Sequence, residues 1–313
     1  MPVSQREVTL FEAARPRLEA IAYRLLGSAS DAEDAVQDTF LRWQSADREH
    51  VLVPEAWLTK VLTNLCLNQL TSARARRETY VGQWFPEPVL AGDTMLGPAD
   101  TAEQRESVSM AMLDLMELLP PKERAVYVLR VAFGYRHDEI AAILDISEAN
   151  SQQLHRRAKQ HLADDRPRVE VTAADARRIV EEFLAAAVSG RTEPLVELLA
   201  DGAIGAGDGG GIVPSLGTPV AGRLQVARFM RGLLRSSRSR EFAAGGLVFA
   251  AVVNNEPALV MVEGERVIGV FSLEPTADGI AAIRMHANPE KLVRFTRAWA
   301  ATEDHGSPLD LGW

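Results

Sequence analysis

The second half of the chain contains side chains of types that can transfer protons. Asp208, Glu263, Arg284 and His286 supply two carboxylates, a guanidinium and an imidazole. A general base and its acid partner must lie within hydrogen-bond reach of each other. No fixed spacing indicates such a pair here, and a single histidine in a strand is more often structural than catalytic. We therefore expect no catalytic residues, no metal site and no cofactor.

The elements that carry these residues predict an α+β domain. Helical patterns at residues 173–190 and 192–200 precede four β-branched segments separated by turn signals, "LVFAAVVNN", "ALVMVEG", "ERVIGVFSLEP" and "GIAAIRMHAN". Such a succession predicts antiparallel strands. The chain then returns to helix at "PEKLVRFTRAWAA", where Asn288 is the expected N-cap and Pro289 the first helical residue.

A second set of side chains could bind nucleic acid. Residues 137–162, "HDEIAAILDISEANSQQLHRRAKQHL", have the pattern of a helix-turn-helix, with the turn at residues 145–147. Amide and guanidinium groups are the types that read base edges in the major groove. Taken alone, the second helix could instead be amphipathic with a solvated basic face. Its predicted outward side chains are Gln152, Gln153, Arg156, Arg157 and Lys159.

Two of the helices predicted in the first 80 residues carry clusters of charged side chains. The pattern "DAEDAVQDTFLRWQ" follows Ser30, which we expect to be its N-cap, and leaves several carboxylates outside. A longer helix starts at Pro54 and ends in the basic cluster "RARRE" at residues 74–78. It carries Lys60, Asn64 and Asn68 along one polar side. A surface helix with a charged end would show the same basic cluster, because the helix dipole favours it.

Composition and charge agree with a protein that has several macromolecular partners. The net charge is −9, but basic residues cluster in two places and acidic ones in another. One cysteine, Cys66, excludes an internal disulfide and fits a reducing compartment. No segment is long and apolar enough to cross a bilayer or to be a signal peptide. We expect a cytoplasmic protein without a membrane partner, and a monomer when free.

The segment "YVGQWFPEPV", residues 80–89, is unusual for a linker, with three aromatic residues and two prolines in ten positions. Pro86 and Pro88 favour an extended backbone, which would present Trp84 and Phe85 to a binding surface at low entropic cost. The alternative is that the two aromatic side chains only pack against the helices of the first 80 residues.

The first half of the chain resembles extracytoplasmic-function (ECF) sigma factors. "IAYRLLGSASDAEDAVQDTFLRWQ" with "AWLTKVLTNLCLNQL…RARRE" resembles their region 2, and "LPPKERAVYVLRVAFGYRHDEIAAILDISEANSQQLHRRAKQHL" resembles their region 4. An apolar residue is usual in the family where Ser151 stands, so weaker packing of the second helix is expected there. The resemblance implies two all-α domains, at residues 1–79 and 101–165, joined by a linker at 80–100.

The resemblance also implies binding roles, with core RNA polymerase and promoter DNA as partners. The acidic helix would bind core polymerase through Asp31, Glu33, Asp34, Asp38, Phe40 and Trp43. The longer helix would bind the −10 element through Lys60, Asn64, Asn68, Arg74, Arg76 and Arg77. The helix from Ser147 would bind the −35 element.

Residues 172–302 resemble the SnoaL-like group of cystatin-like cone domains, followed by a tail at 303–313. "WFPEP", "DGGG" and "NPEKL" are similar to segments of the sigma-factor subgroup with a fused SnoaL-like domain. Regulation in cis is the function that this resemblance implies for the third domain. The implied contact residues are Trp84, Phe85, Pro86, Glu87, Pro88, Asp208, Gly209, Gly210, Asn288, Pro289, Lys291 and Leu292.

Two alternatives to a cis-regulated sigma factor stay open from the sequence. One is a one-component DNA-binding regulator whose second half senses a small molecule, a ligand that the sequence does not name. The other is an isomerase or cyclase fused to a DNA-binding domain, with Asp208 or His286 in the reaction.

Overall fold

The computed structural model describes residues 5–47, 50–78, 80–162, 172–234, 236 and 245–310. The chain divides into two units, the first containing Met1–Thr79 and Gly92–Asp164, the second Tyr80–Ala91 and Asp165–Trp313. The predicted linker at 80–100 is therefore shared between the two units. Its aromatic part belongs to the C-terminal unit. None of the described helices is long and apolar enough to span a membrane.

Three long helices begin the first unit: α1 (Gln5–Leu26), α2 (Ala29–Ser45) and α3 (Pro54–Glu78). Helix α1 ends because Gly27 adopts φ 67°, and its amide donates to the Tyr23 carbonyl at 2.8 Å. Ser28 then caps α2, since its hydroxyl accepts from the Asp31 amide at 3.0 Å. The prediction of Ser30 as the N-cap is wrong, because the helix has already started at Ala29.

Shorter helices follow in the first unit. They are α4 (Ala102–Glu106), α5 (Met110–Glu117), α6 (Pro121–Tyr127), which continues as a π-helical turn, α7 (His137–Leu144) and α8 (Glu148–His161). Helices α4 and α5 are separated at residues 107–109, where the Ser109 hydroxyl accepts from the Met112 amide at 3.2 Å and starts α5. Serine hydroxyls compete for backbone donors in this way and favour caps over helix interiors.

Helices α7 and α8 form the predicted helix-turn-helix. Asp145 adopts the left-handed conformation at φ 51°, and the Ser147 hydroxyl caps α8 by accepting from the Asn150 amide at 3.2 Å. Ser151 is buried, and its hydroxyl forms a hydrogen bond with His137 Nδ1 at 2.9 Å. The buried hydroxyl at this position is therefore hydrogen-bonded within the helix-turn-helix.

Two buried arginines lie in the core of the first unit. Arg24 donates to the Ser107 hydroxyl at 2.9 Å and to the Leu96 carbonyl at 2.6 Å. Arg124 donates to the Arg24 carbonyl at 3.1 Å and to Glu117 at 2.5 Å. Burial lowers the pKa of both arginines to about 9, so both stay charged at neutral pH. The two predicted helical domains thus share one buried polar network.

The second unit is the predicted α+β domain. Its elements are α9 (Ala173–Val188), α10 (Glu193–Leu198), β1 (Leu199–Asp208), β2 (Val220–Ala221), α11 (Arg223–Leu234), β3 (Gly246–Val253), β4 (Glu256–Glu263), β5 (Arg266–Thr276), β6 (Gly279–His286) and α12 (Leu292–Ala301). Within the described residues, six strands form one sheet in the order β2-β1-β6-β5-β4-β3. Strands β3 to β6 are antiparallel as expected, whereas β1 is parallel to β6.

The sheet of the second unit has a hydrophobic core on each face. Apolar side chains of α9 and α11, such as Phe183 and Met230, pack with Phe271 and Met285 on one face. The apolar side of α12 packs with alternate strand residues on the other face. This division follows from the strand geometry, because successive side chains point to opposite faces.

The start of α12 differs from the prediction. The helix begins at Leu292, and residues 288–291 form a turn before it. Asn288 is therefore not its N-cap and Pro289 is not its first residue. The Asn288 side chain accepts from the Glu290 amide at 3.0 Å within the turn, and its amide group donates elsewhere, to Tyr80.

Candidate functional site

The linker segment Tyr80–Ala91 packs against the sheet of the second unit. The Val89 amide donates to Asn254 Oδ1 at 2.8 Å, and the Asn254 amide donates back to the Val89 carbonyl at 2.9 Å. Leu90 forms a bridge with Val253, and the Ala91 amide donates to the Val252 carbonyl at 3.0 Å. The end of the linker thus extends the sheet beyond its edge strand β3.

Asp208, the last residue of β1, is the centre of the contacts to the aromatic part of the linker. It is 1% exposed, and its carboxylate accepts from the Tyr80 hydroxyl at 2.5 Å and from the Phe85 amide at 3.0 Å. It also accepts from the Gly210 amide at 3.1 Å and from Lys291 Nζ at 2.7 Å. Hydrogen bonds to an ionised acceptor are the stronger kind, so this carboxylate binds linker side chain and linker backbone together.

Lys291 balances the charge of Asp208 and adds contacts of its own. Its Nζ donates to the Phe85 carbonyl at 2.5 Å. The same ammonium lies over the Trp84 ring, 4.1 Å from the centroid, and 5.0 Å from that of Tyr80. Cation–π attraction of this kind strengthens when the groups are desolvated.

Asn288 completes the linker-binding cluster, which we define as Asp208, Asn288 and Lys291. Its Nδ2 donates to the Tyr80 hydroxyl at 2.8 Å. Burial, followed by the hydrogen bond to Asp208, raises the pKa of Tyr80 well above its usual value. The Tyr80 hydroxyl therefore stays protonated and can donate to Asp208.

The glycines after Asp208 allow close approach of backbone and linker. A Cβ at Gly209 would lie 1.9 Å from the Val213 carbonyl oxygen. Gly210 has φ 63°, and a Cβ there would lie 2.4 Å from Asn288 Nδ2. A Cβ at Gly211, with φ 73°, would lie 3.1 Å from the Val81 side chain. The "DGGG" sequence is thus explained by steric requirements at all three glycines.

His286 lies beneath the linker in β6. Its ring is 5.3 Å from that of Phe85, centroid to centroid, and it is 2% exposed. Among the described residues, neither ring nitrogen has a hydrogen-bond partner. Burial lowers the pKa of His286 to about 3, an effect only partly offset by Asp208. The imidazole is neutral at physiological pH and serves as a packing surface.

The remaining predicted linker residues are also placed by the structure. Residues 85–89, which include Pro86, Glu87 and Pro88, are buried. Pro289 lies in the turn between Asn288 and Lys291, and Leu292 is buried at the start of α12. Sequence reasoning did not assign Tyr80, Asn254 or His286 to the linker contacts. The sequence did contain a turn signal at Asn254, the "NN" pair at 254–255, and both residues adopt positive φ in the structure.

The acidic residues predicted on α2 are mostly exposed. Glu33, Asp34 and Asp38 face solvent, Asp31 is half-buried, and Phe40 is partly covered by Phe11, with ring centroids 4.7 Å apart.

Trp43 differs from these α2 residues. It is 2% exposed and packs on Trp57 at 5.4 Å between centroids. Its side chain is therefore part of the hydrophobic core and not of an exposed polymerase-binding face, as was predicted.

The five polar side chains predicted to project from α8 are all exposed, namely Gln152, Gln153, Arg156, Arg157 and Lys159. The four-residue spacing of Leu154, Ala158 and Leu162 predicts an inward face. Ala158 is buried and Leu162 is 7% exposed, whereas Leu154 is half-buried. The outward face of this helix is therefore available to a partner.

On α3, Asn68 is exposed and Asn64 is half-buried. Lys60 Nζ lies 2.5 Å from Asp145 Oδ1 and donates to the Ala142 carbonyl at 3.0 Å. Lys60 is thus engaged by the helix-turn-helix. The side chains of Arg74, Arg76 and Arg77 lie outside the described residues.

The residues first considered for proton transfer do not form one group. Asp208 is in the linker-binding cluster, and Arg284 pairs with Glu274 at 2.8 Å. Glu263 is exposed at the end of β4, and His286 lies under Phe85. Among the described residues, no cluster of three or more histidine, cysteine or acidic residues is arranged to hold a metal ion.

Comparison with known proteins agrees with this architecture. Residues 10–76 match the Sigma-70 region 2 family, and residues 109–162 match the Sigma-70 region 4 family. The ECF RNA polymerase sigma factor SigJ of Mycobacterium tuberculosis is 34% identical over 91% of this chain and 93% of its own length. The probable ECF RNA polymerase sigma factor SigI of Mycobacterium tuberculosis is 27% identical over 90% of this chain and 93% of its own length.

A solved structure extends the likeness to the second unit. The crystal structure of Mycobacterium tuberculosis SigJ superposes with a TM-score of 0.71 at 31% identity, covering 91% of this chain and 97% of that one. The likeness therefore includes the helical regions and the α+β unit. The chain belongs to the ECF RNA polymerase sigma factors.

Proposed function

We propose that the second unit of this sigma factor regulates promoter-specific transcription initiation in cis, by holding the linker between regions 2 and 4. The observation that carries this proposal is the position of Asp208, a buried carboxylate that accepts hydrogen bonds from both Tyr80 and Phe85. A buried charge is costly unless fully paired, so these partners specify one placement of the linker.

The proposed mechanism is a shift between conformations. A linker fixed to the second unit restricts the separation of the two DNA-reading regions. Release of the linker would favour arrangements that fit core polymerase and the spacing of the promoter elements. The free chain is a monomer in this proposal, and it acts in the cytoplasm with the polymerase.

Each DNA-reading or polymerase-binding surface has a proposed role. The exposed carboxylates Glu33, Asp34 and Asp38 bind core polymerase, with electrostatic complementarity that sets orientation and association rate. Helix α8 reads the −35 element with the side chains named above. Helix α3 reads the −10 element through Asn64, Asn68 and Lys60, together with the basic cluster at its end.

Lys60 imposes a condition on −10 recognition. Its ammonium is held by Asp145 and by the Ala142 carbonyl in the helix-turn-helix. To reach DNA, Lys60 must leave both groups. Because the Lys60 side chain is partly exposed and that of Asp145 is largely exposed, this ion pair is weak and the change is energetically small.

The proposed function requires no chemistry of its own. An isomerase would need Asp208 or His286 in its active site. Both residues are buried beneath the linker and are not open to a substrate. A catalytic role for the second unit is therefore not part of the proposal.

The proposal is tested by transcription with purified core polymerase and the full chain. Replacing Trp84 and Phe85 with alanine removes the rings that contact Lys291 and His286. We expect altered transcript yield from each cognate promoter with unchanged promoter choice. The matched control is Leu118→Ala, an exposed apolar residue of the helical unit.

Equal transcript yields from the double variant and the unmodified chain would refute regulation through the linker. Failure of the unmodified chain to initiate with core polymerase would refute the sigma-factor mechanism itself.

A further inference from the structure

A cavity of about 640 Å³ lies within the second unit, on the face of the sheet opposite the linker. Its walls come from α11, from β1, β4, β5 and β6, and from the loop at residues 212–216. They are mostly aliphatic and aromatic, including Phe229, Leu233, Met261, Phe271 and Met285. Cavities of this size and character are typical of sites for small organic molecules.

The polar groups of the cavity limit the chemistry of its occupant. Of the described residues that line it, Glu263 is the only charged one, and it is exposed. Ser215 adds one hydroxyl. A carboxylate at the edge of an apolar site favours a cationic or hydrogen-bond-donating group and disfavours an anionic one.

The cavity and the linker contact successive residue pairs of the same two strands, β1 and β6, from opposite faces of the sheet. Gly207 of β1 pairs with Met285 of β6, and both line the cavity. The next pair in register is Asp208 with His286, and both contact the linker. Because successive residues of a strand face opposite sides, a change in the position of one pair is carried directly to the next.

The loop after β1 provides a second connection. Gly210 and Gly211 approach Asn288 and Val81 of the linker side. The residues that follow, from Ile212 to Leu216, form part of the cavity wall. The amides of Ile212 and Val213 both donate to the Gly209 carbonyl at 3.0 Å, which ties the two halves of the loop together.

We propose that this cavity binds a small, mostly apolar molecule with a cationic or hydrogen-bond-donating end, and that its occupancy determines how firmly the linker is held. An occupant restrains Gly207, Met285 and the 212–216 loop, and thereby Asp208 and its partners. The inference rests on the proposed function for its regulatory meaning, but ligand binding itself is measurable without transcription.

The experiment uses the full chain and three probes with the same apolar chain: decylamine, decanol and decanoate. Isothermal titration calorimetry should show decylamine binding about tenfold more tightly than decanoate, with decanol between them. The Glu263→Gln variant should lose most of this preference while still binding decanol. Glu263 is exposed, so this change leaves the fold intact.

A cavity-filling variant locates the site. Leu233→Trp, which fills the cavity from α11, should weaken decylamine binding at least about tenfold. The matched control is Leu224→Trp on the same helix, which is exposed and does not line the cavity. Equal loss of binding in both variants, or no binding of any of the three probes, would overturn the proposed site.

Hydrogen exchange tests the connection to the linker. In saturating decylamine, the amides of residues 80–91 should exchange several-fold more slowly, most clearly that of Phe85, which donates to Asp208. Binding without any change at residues 80–91 would overturn the connection but not the site. Regulation through the linker would be refuted separately, by transcription with the Trp84 and Phe85 variants.

Discussion

Lys291 is the residue on which the charge balance of the linker-binding cluster depends. Its ammonium is the described cation closest to the Asp208 carboxylate, at 2.7 Å, and both side chains are largely buried. Removal of one partner of a buried pair leaves the other charge uncompensated, which costs more than the pair itself contributes.

We predict that Lys291→Met lowers the free energy of unfolding of the second unit by about 3 kcal/mol. Urea denaturation followed by hydrogen exchange of β5 and β6 amides measures this. Adding Asp208→Asn to Lys291→Met should recover part of the loss, because the uncompensated charge is then gone. The control, Arg228→Met, changes an exposed cation on α11 and should have little effect. Additive losses in the double variant would contradict the charge argument.

His286 gives the second unit a defined dependence on pH. Its pKa is about 3 in the folded protein against 6.5 for an unperturbed histidine. The unfolded chain therefore binds one more proton than the folded chain between these values. Stability from this group is fully present above pH 6.5 and is lost as the pH falls toward 3.

We predict that His286→Leu removes this dependence. Between about pH 6 and about pH 4, the unmodified chain should lose about 1 kcal/mol more per pH unit than the variant. Urea denaturation at a series of pH values measures the two slopes. A variant at the exposed His50, such as His50→Gln, should keep the slope of the unmodified chain. Parallel slopes for His286→Leu and the unmodified chain would show that His286 is not buried as a neutral group.

At the scale of the element, features set by local sequence, such as caps and helical spacing, could be predicted better than features set by tertiary packing. The helix-turn-helix, its Ser147 cap and the inward residues of α8 follow from four-residue spacing and cap chemistry. Whether Ser28 or Ser30 caps α2 depends on where α1 ends, at Gly27. The spacing of apolar residues does not determine that position. Trp43 was assigned to polymerase binding by the family resemblance, whereas its burial depends on packing against Trp57.

The cap of α2 is directly testable. Ser28→Ala should lower the free energy of unfolding of the first unit by about 1 kcal/mol, because the Asp31 amide loses its acceptor. Ser30→Ala lies inside the helix, where alanine is favourable, and should cost clearly less. Urea denaturation of both variants decides the assignment. A larger loss for Ser30→Ala would restore Ser30 as the cap.

At the scale of the whole molecule, the order of two helical regions and an α+β domain could be predicted, but the placement of the linker depended on distant residues. Tyr80 and Phe85 each lie more than a hundred positions before Asp208, and nothing local to "YVGQWFPEPV" indicates which carboxylate it contacts. The parallel pairing of β1 with β6 likewise joins residues far apart in sequence. Yet this pairing aligns Asp208 with His286 under the linker.

The chain carries a net charge of −9 but has an exposed basic face on α8 and an exposed acidic face on α2, so different partners should be separable by mutation. Arg157→Ala should lower initiation from promoters that depend on the −35 element, and should reduce the salt slope of promoter binding by about 1 if Arg157 contacts one phosphate. It should leave the affinity for core polymerase unchanged.

The double variant Asp34→Asn with Asp38→Asn should leave promoter recognition unchanged. It should weaken the binding of core polymerase, mainly through slower association at low salt.

Transcription from a cognate promoter, together with direct measurement of core polymerase binding at several salt concentrations, separates the two effects. The α8 variant and the α2 double variant serve as controls for each other, because both replace exposed charges of the same helical unit. If Arg157→Ala weakened core polymerase binding as much as the α2 variant does, the two faces would not be specialised. The assignment of DNA reading to α8 and polymerase binding to α2 would then be wrong.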